Sequence, residues 1–160
     1  MDKELAVQSL TDTMAKFTAY IGKRLPKDVK SKLIELKTLE TNPLAKSIYD
    51  SMDENQEAAD RLNRPSCQDT GVIQYFVEAG AHFPLLGELQ EILREATEEA
   101  TRTGPLRHNA VETFDEKNTG TNTGTQIPWL DWRIVPEQDT CTIDGIWQAA
   151  GVPCQVQLKF

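Results

Sequence analysis

Residues 64–71 carry the side chains best suited to chemistry, in the order Arg-Pro-Ser-Cys-Gln-Asp-Thr-Gly. A lone cysteine is most often a small buried hydrophobic residue, but the polar neighbours of Cys67 favour a thiolate that binds metal. Asp69 is a candidate catalytic carboxylate that can pair with a histidine; alternatively, its side chain shapes the turn. Gln68 can present its amide to a carboxylate or cap the loop. The segment therefore predicts a metal and substrate site, with a structural loop as the alternative.

A second candidate segment begins at Arg107, followed by His108 and Asn109. A guanidinium group binds a carboxylate through two parallel hydrogen bonds, a geometry that lysine does not copy. Taken alone, Arg107 and His108 are more often surface or structural residues. The polar run Asn118–Gly124 that follows is typical of a mobile turn.

Three helices are predicted before the first candidate segment. Residues 3–22 place apolar side chains at helical steps, and Pro26 suits the first turn of a second helix. Asn42, followed by proline, is a predicted N-cap for a third helix that ends near Asn63. The predicted buried side of this third helix consists of Leu44, Ile48, Met52 and Leu62.

The chain changes character after the third helix, and the elements that follow predict an α+β fold. Val72–Val77 is rich in β-branched and aromatic residues and predicts a strand. Residues 85–96 have the clearest helical pattern, in a helix that ends near Gly104. Residues 115–128 predict a loop and Leu130–Val135 a second strand, so both candidate segments lie at the ends of regular elements.

Composition limits the classes of function. The chain has 160 residues, 39% hydrophobic and 26% charged, which is ordinary for one globular domain. The formal net charge of −8 argues against nucleic acid or an anionic membrane as a partner. There is no apolar run near ~20 residues and no signal pattern. Cys67, Cys141 and Cys154 are too widely spaced for a zinc cluster or a disulfide scaffold, so a reducing cytoplasm is expected.

The motifs, taken in chain order, resemble the iron–sulfur hydro-lyases, the family of L(+)-tartrate dehydratase α subunits and class I fumarate hydratases. They are residues 64–71, 107–109, 118–124 and 127–132. The resemblance covers roughly residues 1–139. It implies an enzyme that dehydrates L(+)-tartrate to oxaloacetate and water, with fumarate hydratase of the same class as the alternative. It also implies a β subunit and a second α subunit as partners.

The same resemblance assigns roles to the candidate residues. Cys67 matches the first of three cysteines that hold a 4Fe-4S cluster, whose fourth iron is open to substrate. Such an iron acts as a Lewis acid on the departing hydroxyl group, while a base removes a proton beside the carboxylate. Arg107 matches the arginine that contacts the substrate carboxylate, Gln68 and Asp69 become substrate-binding residues, and Asp69 is also the catalytic candidate. The glycines of residues 118–124 match those that let the backbone approach the site.

Residues 140–160 do not continue the resemblance. The family usually has a glycine-rich turn here, similar to Met-Ala-Gly-Gly-Gly-Cys-Thr-Leu-Pro-Gly. Synonymous codons for residues 146–156, read from the third base of each codon, yield that motif. We therefore expect a frameshift, biological or from sequencing, that divides the chain into an N-terminal part of the hydro-lyase α domain (1–139) and an out-of-frame tail (140–160). A native C-terminus is the alternative. With one cluster cysteine the chain alone is expected to be inactive, which leaves a non-catalytic interaction fragment as a competing interpretation.

Overall fold

The structure is a computed structural model that describes residues 2–66, 71–148 and 154–160. The helices are α1 (Lys3–Ile21), α2 (Lys27–Leu39), α3 (Pro43–Leu62) and α4 (Leu89–Thr103). The strands are β1 (Val72–Gly80), β2 (Trp129–Val135), β3 (Cys141–Gln148) and β4 (Cys154–Lys159). The four strands form one mixed sheet, and the helices are separate from it. The predicted α+β class is therefore confirmed.

The sheet has the strand order β2-β1-β3-β4. Strand β1 pairs in parallel with β2, where Val77 lies opposite Trp132. On its other side β1 pairs antiparallel with β3, where Val77 lies opposite Ile143. Strand β4 extends the sheet beyond β3 in antiparallel fashion. Strand β1 is therefore central, and β2 forms an edge of the described sheet.

Helices α1 and α4 pack on each other and supply the helical side of the core. Alternate residues of β1 are buried, as expected for a strand with one covered face. Tyr75 is fully buried at the centre of this face, and its hydroxyl lies 2.6 Å from Thr18 Oγ1 of α1 and 3.1 Å from Thr97 Oγ1 of α4. One tyrosine thus joins both helices to the sheet. The other core side chains on the helices include Met14, Phe17, Ile21, Leu89, Ile92 and Leu93.

The predicted start of α3 is confirmed. The Asn42 side chain accepts a hydrogen bond from the backbone N–H of Leu44 at 2.9 Å, and Pro43 occupies the first turn. At the other end, Asn63 adopts the left-handed conformation with φ of 50° and ends the helix. This turn directs the chain into the Cys67 segment.

The predicted buried side of α3 is wrong. Leu44, Ile48, Met52 and Leu62 are between 41% and 71% exposed, and Ala59 is the buried residue of this helix. Helix α2 likewise contributes no buried residue. The apolar pattern was correct, but α1 and α4 occupy the sheet face, so α2 and α3 lie outside the core.

Two strands of the structure were not predicted. The last expected strand ended at residue 135, whereas residues 141–148 form β3 with alternate residues buried. Within β3, the indole N–H of Trp147 donates to the Thr18 carbonyl at 3.1 Å. Strand β3 is therefore part of the core, while the frameshift origin of residues 140–160 stays a prediction. In the described part of the chain, no helix is long and apolar enough to cross a membrane.

Candidate functional site

The Cys67 segment is held at both of its ends by asparagine side chains. Cys67, Gln68 and Asp69 themselves lie outside the described residues. On the N-terminal side, Asn55 of α3 donates from Nδ2 to the carbonyl of Ser66 at 2.7 Å. On the C-terminal side, Asn109 donates from Nδ2 to the carbonyl of Gly71 at 3.3 Å. The second bond matters most, because it joins the two segments that the sequence had singled out.

Arg107 and His108 follow α4 in a segment outside the helices and strands, and the side chains that flank the pair are buried. Leu106 is 7% exposed and Ala110 is 4% exposed, whereas Arg107 and His108 are both exposed. Burial on each side of the pair therefore fixes its direction and presents both polar side chains at the surface. Asn109, which is half-buried, reaches from the same segment toward Gly71.

The backbone of this segment is clamped by Asn122. Its Nδ2 donates to the Arg107 carbonyl at 2.9 Å, and its Oδ1 accepts from the backbone N–H of Asn109 at 2.7 Å. The same Nδ2 lies 3.2 Å from Thr101 Oγ1 on α4. One side chain, only 2% exposed, thus satisfies polar groups on both sides of His108 and ties them to the helix.

Asn118 provides a second hold on the same segment. Its Nδ2 donates to the His108 carbonyl at 2.6 Å, and its Oδ1 accepts from the N–H of Gly120 at 2.8 Å. The backbone N–H of Thr119 donates to the Ala110 carbonyl at 2.9 Å. The run Asn118–Gly124, whose composition is typical of a turn, thus forms a hydrogen-bonded loop against the Arg107 segment.

Sequence reasoning missed the role of these asparagines. Asn122 has a φ of 57°, a left-handed conformation that asparagine tolerates better than most residues. A buried asparagine in a turn-rich run is a signal for such a clamp, since its amide both donates and accepts. Asn118 and Asn122, which both lie in a run of glycines and threonines, could have been recognised from the sequence in this way.

Acidic side chains line the hollow beside His108. It has a volume of about 510 Å³, and Glu95, Glu98 and Glu99 of α4 contribute to its wall together with His108. A carboxylate substrate would meet negative charge there. This hollow is therefore a poor location for a carboxylate substrate.

The described residues do not fit an iron–sulfur cluster on their own. Within residues 2–66, 71–148 and 154–160, no three His, Cys, Asp or Glu side chains lie close enough to hold a metal ion. Cys141 is fully buried on β3, and burial raises the pKa of its thiol to about 11. A thiol of this kind stays protonated at neutral pH and is a poor metal ligand. Cys67 remains the candidate ligand by resemblance, with any further ligands outside the described residues.

Comparison with known proteins identifies the family. The sequence model described as "Fumarate hydratase (Fumerase)" matches residues 11–159. The chain belongs to the fumarate hydratase family. The matched range contains the second half of α1, the Cys67 segment, the Arg107 segment and the clamp at Asn122. Membership therefore covers the residues that the structure brings together.

Within the fumarate hydratase family, the chain is similar to proteins named L(+)-tartrate dehydratase subunit alpha. It is 53% identical over 150 residues to the Escherichia coli K12 protein and 54% identical over 150 residues to that of strain UTI89; both matches cover 94% of this chain and 49% of the relative. A putative subunit alpha from Methanocaldococcus jannaschii is 33% identical over 113 residues, which covers 67% of this chain and 38% of the relative. The chain thus spans about half the length of the Escherichia coli relatives.

Proposed function

We propose that this chain is the N-terminal part of the α subunit of a hydro-lyase that dehydrates L(+)-tartrate to oxaloacetate and water. Relatives named L(+)-tartrate dehydratase subunit alpha support the substrate. The observation that carries the proposal is the hydrogen bond from Asn109 to the Gly71 carbonyl. It supports a shared site, because it places the Arg107 segment against the end of the Cys67 loop.

In this proposal Arg107 binds a carboxylate of the substrate. Its guanidinium group is exposed, and its backbone is fixed by the clamp from Asn122. A fixed backbone reduces the entropy lost when a long side chain orders on an anion. The bidentate fork also orients the carboxylate, which a lysine ammonium does not do.

The other roles rest on the resemblance. Gln68 presents its amide to the substrate, and Asp69 acts at the reacting carbon or pairs with a histidine. Cys67 is one of three thiolate ligands to a 4Fe-4S cluster, and the remaining ligands come from outside the described residues. A β subunit and a second α subunit are the proposed partners, and the cytoplasm is the proposed location.

A reconstituted chimera tests the proposal. Residues 1–139 are joined to the remaining part of an Escherichia coli L(+)-tartrate dehydratase α subunit and produced anaerobically with the β subunit. We expect dehydration of L(+)-tartrate, and about a 100-fold lower kcat/KM in Arg107→Lys, because the carboxylate loses its orientation. Arg102→Lys is the matched control, since Arg102 is an exposed arginine paired with Glu99 on α4.

Two variants of the chimera test the roles of Arg107 and Cys67 separately. Equal kcat/KM for Arg107→Lys and the unmodified chimera would remove Arg107 from the site. Cluster absorbance retained in Cys67→Ser would remove Cys67 as a ligand. We expect the 160-residue chain alone, reconstituted with iron and sulfide, to show no activity.

Fumarate hydratase is the second candidate, favoured by the description of the family model. The chimera distinguishes the two when L(+)-tartrate and fumarate are compared at equal concentration. A higher kcat/KM for fumarate would assign the chain to that reaction. If the chimera acts on neither substrate while folded and loaded with its cluster, a non-catalytic interaction fragment becomes the better account.

A further inference from the structure

The Thr101 side chain of α4 contacts the asparagine that clamps the Arg107 segment. Its hydroxyl group is buried and donates to the Thr97 carbonyl, one turn earlier on the helix, at 2.8 Å. A hydroxyl group has a single proton, so Thr101 Oγ1 can only accept from its next neighbour. That neighbour is the amide donor Nδ2 of Asn122, at 3.2 Å. The helix therefore fixes which atom donates and which accepts in this contact.

Asn122 connects Thr101 to the backbone of Arg107. Its Nδ2 group has two protons, and the second bond runs to the Arg107 carbonyl at 2.9 Å. Asn122 and Arg107 both lie outside the helices and strands, whereas Thr101 belongs to a helix that packs in the core. Thr101 is thus a point at which the loop and the Arg107 segment are attached to a rigid element.

A second contact joins the same loop to α4, and it is the weaker of the two. Thr123 donates from Oγ1 to Glu98 Oε1 at 3.1 Å. The Glu98 carboxylate also pairs with Arg94, and its side chain is 36% exposed, so water competes for it. The contact between Thr101 and Asn122 is buried, where a hydrogen bond is electrostatically stronger. Thr101 is therefore the stronger of these two anchors.

We propose that Thr101 is a positioning residue for the binding of a substrate carboxylate by Arg107. This role rests on the proposed dehydratase function, since it requires Arg107 to bind the substrate. Thr101 acts through Asn122, whose amide holds the Arg107 carbonyl and so presents the guanidinium group from a fixed backbone. Without the Thr101 hydroxyl, one Nδ2 proton of Asn122 is buried and unpaired, which favours displacement of the amide. The Arg107 backbone then loses its fixed position.

Amide hydrogen exchange of the 160-residue chain, followed by NMR, tests whether Thr101 holds the clamp. Thr101→Val removes the hydroxyl group but keeps the β-branched shape. The backbone N–H of Asn109 donates to Asn122 Oδ1. We expect it to exchange about tenfold faster in Thr101→Val, because the clamp opens locally. The N–H of Leu93, which is fully buried on α4, should remain protected and so show that the variant folds.

Two matched variants accompany Thr101→Val. Thr11→Val removes another buried helical hydroxyl group, which donates to the Val7 carbonyl at 3.0 Å on α1. It should leave the exchange of Asn109 unchanged. Thr101→Ser keeps the hydroxyl group and should restore slow exchange. If Thr101→Val does not fold, Thr101→Ala and Thr101→Ser provide the same comparison, because alanine and serine differ only in the hydroxyl group.

A double-mutant cycle in the chimera with the Escherichia coli subunit tests the link to Arg107. We expect roughly tenfold lower kcat/KM for L(+)-tartrate in Thr101→Val, because a displaced binding group orients the substrate poorly. Thr101→Ser should recover most of the lost kcat/KM. In the Arg107→Lys background, Thr101→Val should change kcat/KM by less than about twofold, since the guanidinium group through which Thr101 acts is already gone. A purely structural role would instead give the same loss in both backgrounds.

Three results would overturn the role of Thr101. They are unchanged exchange of Asn109 in Thr101→Val, equal kcat/KM in Thr101→Val and the unmodified chimera, and equal losses in the two backgrounds. Failure of the dehydratase proposal looks different, because the unmodified chimera is then itself inactive. That inactivity would also overturn the substrate role of Thr101, whatever the exchange rates show.

Discussion

The backbone N–H of Asn109 donates to Oδ1 of Asn122 at 2.7 Å, across a loop that separates them by 13 positions. Because Asn122 is buried and also holds the Arg107 carbonyl, we expect Asn122→Gly to lower the free energy of unfolding by about 2–3 kcal/mol. Glycine keeps the positive φ, so the loss comes from the amide rather than from backbone strain. Urea unfolding at neutral pH measures it.

Asn122→Asp separates the two halves of this clamp. The aspartate keeps an acceptor for Asn109 but loses the donor to the Arg107 carbonyl and to Thr101. We expect it to be at least as destabilising as Asn122→Gly, since it also buries a charge. Stability equal to wild type in both variants would show that the clamp is unimportant.

Tyr75 should make the protein less stable at alkaline pH. Burial raises the pKa of its phenol from 10.0 to about 12, although its bonds to Thr18 and Thr97 oppose the shift. The folded state therefore holds the proton more tightly, and this stabilisation is complete below pH 10 and is lost as pH rises toward 12. The loss amounts to roughly 2–3 kcal/mol at ~1.4 kcal/mol per pKa unit.

Tyr75→Phe is the test of that pH dependence. At neutral pH we expect a cost of about 1 kcal/mol for the lost hydroxyl, since Thr18 and Thr97 keep their bonds to carbonyls on their own helices. Toward pH 12 the difference should shrink or reverse. Unfolding curves of both proteins near pH 7 and near pH 11 measure this difference in stability. If both proteins lost the same stability between the two pH values, the alkaline loss would not come from Tyr75.

Gly145 is required by packing on β3. A Cβ atom there would lie 2.8 Å from Ile21 Cδ1 and 3.0 Å from Phe17 Cε1 of α1. We expect Gly145→Ala to cost about 1–3 kcal/mol by overpacking, measured by thermal unfolding. Gly87→Ala is the control, because nothing lies within 4 Å of a Cβ at that position. Equal effects would indicate that α1 does not press on β3.

Cys141 should resist alkylation while the chain is folded. Its side chain is fully buried, and burial raises the pKa of the thiol to about 11, so little thiolate is present at neutral pH. We expect iodoacetamide to modify it at least 100-fold more slowly in buffer than in urea, as read by peptide mass spectrometry. Equal rates would place Cys141 at the surface and contradict its place in the core.

Local signals in the sequence predicted most helices and strands but not which of them pack against one another. The N-cap at Asn42 was predicted, because capping depends on the residue itself, and the predicted end of α3 near Asn63 agrees with the structure. The buried side of α3 was wrong, because the same apolar stripe suits a core or an exposed face, and only the sheet topology decides between them. Strand β3 was not predicted, because Gly145 interrupts its pattern of alternating apolar residues and glycine is unfavourable inside a strand.

In the candidate site, too, local features were predicted from the sequence and long-range contacts were not. The chemistry of guanidinium groups made Arg107 a candidate for binding a carboxylate, and this role stays a prediction. In the structure Arg107 is exposed, and its carbonyl accepts a hydrogen bond from Asn122. Its link to Gly71 through Asn109 joins positions 38 residues apart, and no local pattern encodes such a distance. The roles of Cys67, Gln68 and Asp69 stay predictions.

The indole of Trp147 bonds to the carbonyl of Thr18, a residue 129 positions earlier in the chain. On the ribosome, at about 5–20 residues per second, α1 must wait roughly 6–26 s before β3 is made. During that interval β1 and α4 become available to α1, but its side chains Phe17 and Ile21 still lack the β3 backbone at Gly145 on which they pack. That part of α1 is therefore exposed to chaperone capture and to aggregation until β3 is made, whatever the stability of the finished fold.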